Sequence, residues 1–204
     1  MRIFFCLPRG QRHTGAVTVA NQITLARILL IPVFVAFALY YGRSCAAGAP
    51  VESWRWAAAG TFLLAAGTDG IDGWVARRFN QRSRLGTILD PIADKGLLLA
   101  ALITLTFSPW PEKFPLWFLI LVIARDVLAI GGALLLGQLA GLRELTPHWT
   151  GKVATVAQMT ALGSLMLHFP PPWVAASVWI AAAFTFASGM VYLAVCVKML
   201  GHVE

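Results

Sequence analysis

The sequence predicts an all-α integral membrane protein of six transmembrane helices, and three observations predict it. Of 204 residues, 58% are hydrophobic and 12% charged, with a mean hydropathy of +0.73; soluble domains run at about 45–50% and about 25%. Six apolar stretches each reach the ~20 residues a membrane helix needs. Helix-breaking residues collect in the short segments between them. There is no internal repeat or low-complexity tract, so residues 1–204 form a single membrane domain.

The chain opens on a basic arm, residues 1–15, with Arg2, Arg9 and Arg12. Its apolar run, Ile3–Leu7, is short and has no small-residue cleavage site after it, so no secretory signal is expected there. The six spans follow at about 24–41, 53–78, 86–107, 115–139, 150–169 and 173–199. Gly42 and Pro50 separate the first two, and the charge-rich segment Arg78 to Leu85 separates the second and third. Pro109 and Pro111, then Gly141 and Pro147, then Pro170–Pro172 mark the remaining connections. Only the last span is free of charge, from Trp173 to Val197. Cys6, Cys45 and Cys196 are odd in number and lack CxxC spacing, which argues against a disulfide framework or a zinc ribbon.

The net charge is +7. An apolar chain has no polar scaffold to track a nucleic-acid backbone, so the basic excess points to anionic lipid headgroups or a phosphorylated substrate. With the N-terminus inside, the cytoplasmic segments hold Arg2, Arg9, Arg12, Arg77, Arg78, Arg82, Arg84, Arg143, Lys152 and Lys198. The opposite side holds Arg43, Arg55 and Lys113. That asymmetry predicts a multi-pass protein of the cell (inner) membrane with both termini cytoplasmic.

Packing does not explain the acids. Asp69, Asp72, Asp90, Asp94 and Asp126 fall inside the spans, as do Arg27, Lys95 and Arg125. On insertion scales each mid-membrane Asp costs roughly 2.5–3.5 kcal/mol. Asp69 and Asp72 are at i, i+3 and Asp90 and Asp94 at i, i+4, so each pair shares a helix face. The intervening turn centres near Gln81–Arg82, so antiparallel helices would bring four carboxylates to matched depth. Such a cluster stays ionised around hard cations, and its oxygen-only donors suit two Mg²⁺ or Mn²⁺ ions, with Ca²⁺ a competitor. Gly70, Gly73, Ala76 and Gly86 leave room beside the acids for a nucleotide or pyrophosphate. Arg77 can pair with phosphate. Asp126 reads differently, as a buried partner for Lys95 or for the adjacent Arg125.

The string Asp69-x-x-Asp72-Gly73-x-x-Ala76-Arg77, eight residues, Gly86-x-x-x-Asp90-x-x-x-Asp94 resembles the signature of the CDP-alcohol phosphatidyltransferases in every fixed residue type and gap. Asn21-Gln22-Ile23-Thr24-Leu25-Ala26-Arg27, with Pro32 after it, is similar to the opening of the members that make phosphatidylglycerophosphate or cardiolipin. Gly151-Lys152-x-x-Thr155-x-x-Gln158 is similar to their fifth-helix element.

The resemblance implies a six-helix enzyme with an N-terminal amphipathic juxtamembrane helix, working as a homodimer among membrane lipids. It would transfer a phosphatidyl group from CDP-diacylglycerol to an acceptor alcohol and release CMP. Asp69, Asp72, Asp90 and Asp94 would surround two metal ions, with Asp94 also the general base. Asp69, Gly73, Ala76, Arg77 and Gly86 would hold the cytidine diphosphate. Arg27, Arg125 and Lys152 are the cations available for an acceptor phosphate, which favours glycerol 3-phosphate. Phosphatidylglycerol is the alternative, because Arg125-Asp126 looks more like the Arg-Asp of CDP-lipid-dependent cardiolipin synthases than the Arg-Glu more frequent in the other branch. An ion or proton transporter would need a polar track across the whole bilayer, and an inert scaffold would not need four acids. Arg27, the four aspartates, Lys95 and Lys152 lie in the cytoplasmic halves, with Arg125–Asp126 near mid-depth, and a one-sided cavity suits an enzyme.

Overall fold

In a computed structural model the backbone is described for residues 19–79, 84–139 and 149–200, and the side chains for 25–68, 95–132, 149–194 and 197. The basic arm, the implied juxtamembrane helix and the Gly141–Pro147 connection lie outside the described residues. Among those described there are six helices and no strand: α1 Val19–Ala46, α2 Glu52–Phe79, α3 Arg84–Phe107, α4 Leu116–Leu139, α5 Trp149–Met166 and α6 Pro171–Leu200. Two segments, Leu25–Ala46 and Pro171–Ala194, are long and apolar enough to cross a membrane by length and composition. Every helix also turns large apolar side chains outward. Leu29, Leu64, Phe107, Ile120, Val156 and Phe186 are all exposed, a surface that soluble monomers avoid.

The helix ends have local causes. Gly42, expected to break the first span, lies inside α1. Its missing side chain admits the next connection: a Cβ there would sit 3.1 Å from Pro109 Cδ and 3.3 Å from Trp110 Cδ1. The Trp110 indole N–H donates to the Ala38 carbonyl at 2.9 Å, and its ring meets Tyr41 edge-on at 4.7 Å. The helix stops at Ala46, and two residues beyond it Gly48 adopts φ 72. There the amides of Ala49 and Gly48 bond back to the carbonyls of Ser44 and Cys45, satisfying the last turn. The fifth span also ends earlier than its apolar run, at Met166. His168 takes the left-handed position at φ 54, with Phe169 N–H on Ser164 O and His168 N–H on Leu165 O. Pro171 then opens α6, where a proline costs no hydrogen bond.

Side-chain contacts set the helix directions. Phe34 packs on Phe62, and Phe37 and Tyr40 stack on Trp54, so α1 and α2 are antiparallel. Gly96 lies against Ile31 and Pro109 against Gly42, so α3 runs parallel to α1. In α5 and α6, Ser164 pairs with Ser177 and Gln158 with Thr185, an antiparallel arrangement. Trp117 packs on Trp179 at 5.1 Å while Arg125 reaches Ser188, which makes α4 parallel to α6. The broad interfaces are α1 with α2, α1 with α3, α5 with α6 and α4 with α6. Phe34, Phe62, Leu98, Leu102, Phe118 and Leu162 are among the residues of the core. This alternation sends the N-terminal ends of α1, α3 and α5 to the same end of the bundle as the C-terminal ends of α2, α4 and α6.

Candidate active site

That end of the bundle holds the buried Arg27, Arg125 and Asp126, whereas Arg55, buried at the other end, pairs with Glu52 and donates to the Met166 carbonyl. The Asp126 carboxylate on α4 accepts from two cations on one oxygen: Lys95 Nζ of α3 at 2.8 Å and Arg125 Nη1 at 2.7 Å. Asp126 is therefore an ion-pair partner of both neighbours that the sequence offered. Arg125 is held on other sides as well. Its Nε and Nη2 donate to Ser188 Oγ at 3.2 and 3.1 Å, and its guanidinium lies 5.6 Å from the centre of the Tyr192 ring. Arg125 and Asp126 are 5% and 6% exposed. Among the described residues, one carboxylate stands between two cations there.

Helix α5 closes on this network through a residue with no side chain. A Cβ on Gly151 would lie 2.7 Å from Arg125 Nη2 and 3.2 Å from Tyr192 Oη. Gly151→Ala must push a guanidinium that Asp126 and Ser188 hold in place, and it is expected to lower stability by about 1–3 kcal/mol, as overpacking does. Gly163→Ala, on the same helix with nothing within 4 Å of its Cβ, is the matched control and should hold or raise the unfolding midpoint. Thermal unfolding of both variants in detergent reads the difference. Two turns beyond Gly151, Gln158 Nε2 donates to Thr185 Oγ1 at 2.7 Å, and the Thr185 hydroxyl donates to the Ala181 carbonyl at 2.6 Å.

Of the other predicted site residues, Arg27 lies on α1 at the same end and is 1% exposed. Lys152, next to Gly151, is exposed. Asp69, Asp72, Gly73, Ala76 and Arg77 lie on the C-terminal part of α2, and Gly86, Asp90 and Asp94 on the N-terminal part of α3. Helix direction takes both segments to the polar end. The side chains of these eight residues lie outside the described ones. Among the described residues, no three acidic, histidine or cysteine side chains come together as metal ligands. Cys45 is free and half-buried.

Reading the sequence by charge missed Ser188 and Tyr192, because α6 looked uniformly apolar. The signal was present in its hydroxyls: Thr185, Ser188 and Tyr192 fall at i, i+3 and i+7 and share one face.

A helical bundle with apolar outer faces and with Arg27, Arg125 and Asp126 buried together toward one end suits an enzyme that handles a lipid beside an aqueous compartment. The sequence matches the CDP-alcohol phosphatidyltransferase family over residues 17–187, and the chain belongs to that family. It is 37% identical over 182 residues to the CDP-diacylglycerol--glycerol-3-phosphate 3-phosphatidyltransferase of Bacillus subtilis (strain 168), covering 84% of this chain and 91% of that relative. It is 36% identical over 183 residues to the protein of the same name from Escherichia coli (strain K12), covering 86% and 92%. The same figures relate it to the Shigella boydii serotype 4 (strain Sb227) protein.

Proposed function

We propose that this protein transfers the phosphatidyl group of CDP-diacylglycerol to glycerol 3-phosphate, forming phosphatidylglycerophosphate and releasing CMP. The observation that carries this reading is the unbroken Asp69-to-Asp94 string on the two helix segments that run to the polar end of the bundle. The names of relatives that match over most of their length support the acceptor. The outward apolar faces support six spans, with both termini on the cytoplasmic side together with the polar end, in the cell (inner) membrane. There water-soluble glycerol 3-phosphate and CMP can exchange. One membrane domain, paired as a homodimer, completes the reading.

Four carboxylates with oxygen-only donors fit two Mg²⁺ or Mn²⁺ ions and do not suit zinc. The chemistry such bound ions supply is neutralisation of the pyrophosphate and of the departing CMP. Asp69, Asp72, Asp90 and Asp94 would hold them. Gly73, Ala76 and Gly86 let the cytidine diphosphate approach the helix backbone, and Arg77 pairs with its phosphate. An Asp94 carboxylate oxygen takes the proton of the acceptor hydroxyl as the hydroxyl oxygen bonds to the phosphorus next to diacylglycerol and the bond from that phosphorus to CMP breaks. Arg27, Arg125 and Lys152 contribute the positive field for the acceptor's phosphate. Orientation in a water-poor site supplies the rest of the rate.

Purified protein in detergent, given CDP-diacylglycerol and each acceptor in turn, tests the assignment. CMP release is expected with glycerol 3-phosphate, alongside a product carrying two acyl chains. Release with phosphatidylglycerol alone, and a four-chain product, would make the protein a cardiolipin synthase instead.

A further inference from the structure

Lys95 was not among the cations assigned to the acceptor, yet it is better placed than Arg125 to take an anion. Arg125 has its Nε, Nη1 and Nη2 all engaged inside the bundle, with 6% of its side chain exposed. The Lys95 side chain keeps 30% of its surface exposed. Its ammonium has three donors, and the described contacts use one of them, on Asp126 Oδ1 at 2.8 Å. That oxygen is shared with Arg125, so it offsets only part of the lysine's charge. Tethering also removes much of the rotamer freedom that a free lysine would lose on binding. In sequence Lys95 follows directly on Asp94, the residue assigned to take the acceptor's proton.

The other Asp126 oxygen, Oδ2, is buried with no hydrogen-bond partner. An unsatisfied buried acceptor of this kind calls for a donor. Ammonium hydrogens without an acceptor among the described residues, beside the Asp126 Oδ2 acceptor, match a ligand that carries both a phosphate and a hydroxyl.

Resting on the functional reading above, we propose that Lys95 binds a phosphate oxygen of the substrate, with Asp126 as the positioning residue that aims it. Two sources share this chemistry: the phosphate monoester of glycerol 3-phosphate and the pyrophosphate of CDP-diacylglycerol. The neighbouring Oδ2 favours the first.

The test compares wild type, Lys95→Met and Lys95→Arg in steady-state CMP release, varying each substrate separately. Lys95→Met is expected to raise the KM for glycerol 3-phosphate about 10- to 100-fold, the weight of a charge-assisted contact, with the KM for CDP-diacylglycerol within about twofold. Lys95→Arg should recover much of the loss. A rise in the KM for CDP-diacylglycerol alone supports phosphate binding and assigns the contact to the donor's pyrophosphate. Both KM values unchanged overturns the proposal. Should Lys95→Met fold poorly, amine acylation of the wild-type protein followed by peptide mass spectrometry serves instead. Glycerol 3-phosphate, or else CDP-diacylglycerol, should protect Lys95 where glycerol does not, and protection by neither overturns the proposal. The two readings fail separately: a wild type inactive on glycerol 3-phosphate removes the function, whereas an active wild type with an unaffected Lys95→Met removes only Lys95.

Discussion

Asp94→Asn is expected to slow CMP release by about 10²- to 10⁴-fold while CDP-diacylglycerol still binds, because the amide cannot accept the proton of the attacking hydroxyl. The size follows from what a positioned general base contributes, and the selectivity from the division of labour among the four acids. If Asp94 mainly removes a proton, kcat falls and the dissociation constant of the CDP-lipid stays within a few-fold of wild type. A parallel loss of binding and turnover would make Asp94 chiefly a metal ligand. The shape of the pH profile alone does not separate the two roles, since a divalent ion shifts the titration of every carboxylate around it. Direct binding of a non-reactive CDP-lipid analogue to wild type and Asp94→Asn, beside single-turnover CMP release, makes the distinction.

The second large effect is on metal. Excess chelator should abolish turnover, and added Mg²⁺ or Mn²⁺ should restore it. Asp69→Asn, Asp72→Asn and Asp90→Asn should each cut turnover at fixed metal by at least about 100-fold. Even the outer hydrogen-bond partners of metal ligands cost about 10- to 100-fold in affinity or activity, and a lost ligand costs more. Partial rescue by higher Mg²⁺ or Mn²⁺ is the signature to look for, because a variant that merely misfolds would not respond. Full activity in excess chelator would overturn the two-ion reading and with it the placement of the CDP pyrophosphate.

Helix number and order were legible because hydropathy and helix breakers act locally. The expected spans at 53–78 and 86–107 differ from α2 and α3 by at most two residues at either end. Where the reading slipped, the deciding contact was distant in sequence. Gly42 looks like a terminator in isolation, but in the bundle it is the gap that Pro109 and Trp110 occupy. His168 ends α5 in a conformation that glycine adopts more readily, which no local pattern announced. The candidate site divides along the same line. The spacing of the four aspartates is a one-dimensional fact and was readable at once. The cradle around Arg125 joins α4, α5 and α6 through Gly151, Ser188 and Tyr192, and it appears only when three helices are brought together.

The adjacency of Arg125 and Asp126 also bears on how such a protein is made. Helix α4 finds its broadest contact on α6, which leaves the ribosome later, so on the six-span reading proposed above α4 would enter the bilayer before Ser188 and Tyr192 are there to receive its arginine. A bare cation at that depth would cost roughly 2.5–3.5 kcal/mol on the insertion scale. With the aspartate at the next position and an Nη1–Oδ1 distance of 2.7 Å, α4 brings its own counter-ion. On that reading the pair that later sits at the polar end would ease the helix into the membrane during synthesis, while its partner helix is still to come.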